Sequence, residues 1–327
     1  MTHRVRSSNH LTLGLTKSLM WCSYLSTFAA FRSTKLSFNG HPPPTIRTPL
    51  ITSNATLAFC LLVTFVPNVA WGVSKTPTVA EVTLDIQRMY TAFANNDKTL
   101  DAAVTSMYGD LPADKRQLTK TYVRNMYLNE RAWPIAAQAV QAYLVKNPLA
   151  SPSVIQQGVG VVTRDVYLGL HDRGMRRLSD EQLASDLRHT LAVAEIAPPT
   201  TCKAQFLNQG GRESTQELAQ FNALLPTRDY AAYLDIQRAA MEAELNGSPL
   251  ARTLTSEQTA AAGKAYALAV KSRSNKLPSG VFKRVKDDRV GADAKEVCMV
   301  AIVTLKAVFD MKEPYRSWQT FLSTTAP

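Results

Sequence analysis

A chain of 327 residues with 37 lysines and arginines, 26 acids and a formal charge of +11 suggests a polyanion binder, but the charge is unevenly spread. Residues 1–72 contain Arg4, Arg6, Lys17, Arg32, Lys35 and Arg47 and no acid, which leaves 31 basic against 26 acidic groups in residues 73–327, a net +5. A body of that charge is open to weak attraction by an anionic surface, but the balance argues against specific nucleic-acid binding.

The first feature in chain order is residues 56–72, TLAFCLLVTFVPNVAWG. The apolar run 57–66 has the length of a signal-peptide core and falls well short of the ~20 residues that span a bilayer. Ala70-Trp71-Gly72 places small residues at the −3 and −1 positions of a cleavage site, so the exported chain is expected to begin at Val73. Residues 1–55 are Arg-rich, Ser-rich and acid-free, which suits a positive n-region, though an unusually long one. A start codon assigned too early or an organellar transit peptide would also account for them. An uncleaved segment 56–73 would instead anchor the protein in the inner membrane.

From Val73 onward the 255 residues read as an all-α chain of about ten helices, in a bundle or an irregular array, long enough to bury a core without staples. Thr78 and Glu81 form a capping box for a helix whose Val79, Val82, Ile86, Met89 and Phe93 follow helical spacing. A second helix is expected over 97–108, stopped by Gly109, and a third over 112–129 with Leu118, Tyr122 and Met126 inward. Pro134 opens a fourth with Ile135, Ala139, Ala142 and Tyr143 inward. Ser151-Pro152 opens a fifth along Ile155, Val159, Val162, Val166 and Leu170. Within it Gly158 and Gly160 permit a close crossing, and Gly174 closes it in the left-handed conformation.

Ser179 with Gln182, and Thr255 with Gln258, are two further capping boxes, each heading an Ala-rich helix. Pro198-Pro199 marks an internal boundary near 198–200. Helices are expected over 227–245, 255–272 and 293–312. Residues 274–291, SNKLPSGVFKRVKDDRVG, lack helical spacing and are expected to form a loop or brief hairpin.

Chemistry is sparse. Cys22 and Cys60 lie in the extension, so Cys202 and Cys298 remain, and an even pair in an exported chain predicts one disulfide. The only histidines after residue 72 are His171 and His189, read as a helix-end residue and a surface or packed one. Without a metal-ligand cluster, a phosphate-binding glycine loop or a nucleophile elbow, no cofactor, metal or catalytic residue is assigned.

Asp180-Glu181 and Asp287-Asp288 read as cap and surface charges. The basic stretch around Phe282 offers Lys283, Arg284 and Lys286 as anion-binding candidates, accompanied by Lys271, Arg273, Lys276 and Arg289. The tail reads as a docked final helix, with Tyr315 and Trp318 as candidate partner contacts.

This plan resembles that of many small exported bacterial helical proteins. It implies a periplasmic or secreted protein that acts by binding, with an envelope protein or an anionic surface as partner. The alternatives are a hydrolase whose acidic site is assembled from distant helices, and a signal-anchored envelope protein.

Overall fold

The capping boxes at Thr78, Ser179 and Thr255 are all formed, each hydroxyl accepting the N3 amide while the N3 side chain returns to the cap amide. In the computed structural model, which describes residues 77–148, 151–207 and 220–325, the architecture is all-α, and no strand occurs among the described residues. The expected signal segment with its cleavage after Gly72, and the alternative 56–73 anchor, lie outside them. No helix among the described residues is long and apolar enough to cross a membrane.

Twelve helices are defined among the described residues: α1 (Val79–Asn95), α2 (Asp97–Tyr108), α3 (Ala113–Tyr127), α4 (Ala132–Lys146), α5 (Pro152–Met175), α6 (Asp180–Ile196), α7 (Pro199–Phe206), α8 (Thr227–Asn246), α9 (Ser256–Ser274), α10 (Val281–Asp287), α11 (Ala294–Phe309) and α12 (Tyr315–Thr325). Residues 220–224 are also helical.

The first four helices and α5 surround a tyrosine core. Tyr90, Tyr127 and Tyr167 are fully buried, with ring centroids 5.0 to 6.4 Å apart in tilted or edge-on pairs, the arrangement favoured by aromatic quadrupoles. The remaining helices build a second core around α11, against which α6, α7, α9 and α10 pack. Helices α5, α6 and α8 join the two: α8 lies along α5, while also touching α3 and α6.

Three expectations are corrected. On α4 the buried stripe is Trp133, Ala136, Ala137, Val140 and Leu144, and Ile135 is exposed. Trp133 sets this rotation: its ring is buried and its Nε1 donates to Tyr127 O at 2.9 Å. Alanines occur on both faces of α4, so spacing alone does not choose between them.

Gly174 is helical, not left-handed. A Cβ there would overlap the Ala240 carbonyl, so the glycine permits α5 and α8 to cross with backbones in contact. Gly158 does the same for α5 against the Tyr143 ring of α4, as the sequence suggested.

Residues 274–291, expected as loop or hairpin, contain α10. Gly280, at φ 77°, turns the chain, and Val281 and Val285 then bury one turn apart against Val297 and Val300. Three apolar residues in seven, two of them adjacent, are too few to display a period. On α3, Met126 is buried as expected, but Lys115, Thr119 and Lys120 share its inner face. Lys115 Nζ donates to the carbonyls of Ala223 and Leu225, and Lys120 Nζ pairs with Asp97 at 2.7 Å.

Candidate functional site

Where α5 crosses α8 at Gly174, the next turns of α8 present only Ala239 and Ala243. These short side chains leave a cleft of about 310 Å³ between α8, the end of α5, the start of α6 and the segment leading into α9. That size is at the lower end for small-molecule sites. Leu178, Pro249 and Leu250 complete its apolar lining, with Leu250 85 % exposed at the surface. Arg177, Ser179, Gln182 and Arg252 supply its polar atoms.

Both arginines are held in place. Arg177 Nε donates to Glu244 at 2.8 Å and its Nη1 to Pro249 O at 2.8 Å. Arg252 donates from Nη2 to Leu178 O at 2.9 Å, pairs with Asp180 at 2.5 Å, and lies over the Phe321 ring with its Cζ 5.0 Å from the centroid. Burial alone would raise the Glu244 pKa, but the guanidiniums of Arg173 and Arg177 hold it below the usual carboxylate range. The two carboxylates beside the cleft are therefore engaged as counter-ions.

Farther along α6 and α8 runs a buried polar seam, of which the sequence marked only His189. Asp186 is buried, with one bond from Gln237 Nε2 at 3.3 Å; burial pushes its pKa up to about 6, and the His171 charge opposes the rise. His189 stacks on Tyr233 at 4.0 Å, and its Nε2 donates to Asn222 Oδ1 at 2.6 Å. Burial drives the imidazole pKa down to about 4, against the opposing Asn222 bond and the Asp229 charge. His189 is thus a packed, neutral residue at pH 7. The signal for Asp186 was its place three residues after Leu183 on the inner stripe of a well-capped helix.

Cys202 and Cys298 form the expected disulfide, with Cα atoms 5.5 Å apart. It ties the short α7 to α11 among Ala194, Ala197 and Ala301, and both cysteines are buried. The basic candidates lie on α10. Lys283 pairs with Asp287 at 2.5 Å and Arg284 with Glu296, while Lys286 is exposed. Arg273, farther back, pairs with Asp310.

The tail docks as α12 against α6 and α9. It buries Phe321 together with Thr320, Ser323 and Thr324, and leaves Tyr315 and Trp318 partly exposed, ring edge to face at 5.7 Å. Thr324 and Thr325 donate to carbonyls of their own helix at 2.8 and 2.7 Å, which lets hydroxyls face the interior.

Among the described residues no group of three or more His, Cys, Asp or Glu is placed to hold a metal ion. No protein-family model, curated protein or solved structure matches the chain.

Proposed function

We propose that this is an exported protein, periplasmic or secreted, that acts by binding a small apolar ligand in the cleft between α5, α6 and α8. The observation that carries the reading is the lining itself: Leu178, Ala239, Ala243, Pro249 and Leu250 dominate it, and its polar residues are Arg177, Ser179, Gln182 and Arg252. Concave, mainly apolar sites with a few fixed polar groups suit ligand capture. A hydrolase would require a carboxylate or imidazole facing the ligand. Glu244 and Asp180 are committed to arginines, and Asp186 is buried, so the acidic-site alternative draws less support.

The buried disulfide supports an oxidising compartment. An envelope protein or anionic surface remains the expected wider partner, with exposed Lys286 and the Tyr315–Trp318 pair as contacts.

Two measurements test the reading. Intact mass of protein from its native host, taken without reductant, should begin at Val73 and lack two hydrogens. A chain retaining residues 56–72 with free thiols would refute export. Ligand-observed magnetic resonance against a panel of short-chain apolar compounds should detect binding, and a panel with no binder would refute the cleft's role.

A further inference from the structure

We propose that the ligand class is a medium-chain monocarboxylate, with its alkyl chain against the alanine face of α8 and its carboxylate toward Arg177 and Arg252. This rests on the binding role just proposed and adds the ligand's chemistry.

The side-chain acceptors that line the cleft, and those paired with its arginines, are engaged. Gln182 Oε1 accepts from Ser179 N at 3.0 Å, and Ser179 Oγ accepts from Gln182 N at 3.2 Å. Glu244 accepts from Arg173 at one oxygen and Arg177 at the other, and Asp180 Oδ1 accepts from Arg252. What remains is donors. Arg177 Nη2 and Gln182 Nε2, both on lining residues, have no bond within the described structure. A ligand that fits must therefore bring acceptors.

Charge decides which acceptor. Arg177 and Arg252 are the charged residues of the lining, and their carboxylate partners Glu244 and Asp180 lie outside it. A ligand carboxylate meets two guanidiniums there, and guanidinium–carboxylate bonds are the stronger, charge-assisted kind. Inorganic phosphate would gain nothing from the leucine and alanine walls. An alcohol would use the walls and forgo the charge.

Calorimetric titration of the full chain with sodium decanoate, 1-decanol and decyltrimethylammonium tests this. Decanoate should bind at least about tenfold tighter than decanol, a difference of about 1.4 kcal/mol, and the ammonium should bind weakest. Ala239→Phe, which fills the cleft, should abolish binding. Leu250→Ser, a neutral change at an exposed lining position, should weaken decanoate and decanol alike.

Equal affinity for decanoate and decanol, both lost in the two variants, would overturn the carboxylate class and leave the binding role standing. No binding by any of the three would overturn both. Decanoate binding unchanged in Leu250→Ser and in a folded Ala239→Phe would place the site elsewhere and refute the inference.

Discussion

Replacing Asp186 by asparagine should make the protein more stable near neutral pH and not at acid pH. The side chain is 7 % exposed and receives one bond, from Gln237 at 3.3 Å. Its pKa is about 6 in the folded chain against 3.8 as the ordinary value. A raised carboxyl pKa means the folded state holds the proton more tightly, so the stability Asp186 contributes is full below about pH 3.8 and lost as pH rises through about 6.

At about 1.4 kcal/mol per pH unit, the ionised carboxylate costs the fold about 3 kcal/mol at pH 7. Asparagine removes the charge and keeps an oxygen for Gln237, but buries an amide that costs about 1 kcal/mol. The expected net gain is about 1 to 2 kcal/mol near pH 7, shrinking to nothing or reversing near pH 4.

His189 works in the opposite direction. Its folded pKa of about 4 lies below the ordinary 6.5, so its contribution is present above pH 6.5 and is lost as pH falls through about 4. The two groups offset each other between those limits. Wild-type stability should therefore be nearly flat there, while Asp186→Asn should lose stability on acidification. Urea unfolding followed by helical circular dichroism at about pH 4.5 and about pH 7.5 reads both slopes. An equal destabilisation by Asp186→Asn at both pH values would refute the reasoning, because it would mean the carboxylate is a well-compensated partner and not a desolvated one.

Two other outcomes are expected. Converting Cys202 and Cys298 to serine should lower stability by about 4 to 5 kcal/mol, the chain-entropy value for a loop of 96 residues; urea midpoints unchanged by the double substitution would contradict a staple between α7 and α11. Gly174→Ala should destabilise by about 3 kcal/mol or more, because the new methyl group meets the Ala240 backbone and only a shift of α5 from α8 relieves it. Gly158→Ala should cost less, since the obstacle there is the Tyr143 side chain, which can rotate; thermal melts that rank the two in the reverse order would refute the assignment of Gly174 as the tighter crossing.

The helices were legible because their signals are local. A hydroxyl three residues before a Glu or Gln, as at Thr78, Ser179 and Thr255, satisfies orphan amides whatever lies beyond the helix, and Gly109 ends α2 through its own φ of 71°. The pairing of Cys202 with Cys298 could also be proposed, since only two cysteines remained once the extension was set aside. What the sequence left open were relations between helices. The rotation of α4 depends on a Trp133 bond to Tyr127, and Gly174 is a crossing residue only because Ala240 meets it from α8.

Asp186, Gln237 and His171 come from three helices, as do the walls of the cleft, and no spacing within one chain segment records such a meeting. Local backbone chemistry therefore determined the elements by itself. Tertiary packing decided the faces, the buried charges and the site, because burial and desolvation are properties of neighbours brought together from distant parts of the chain.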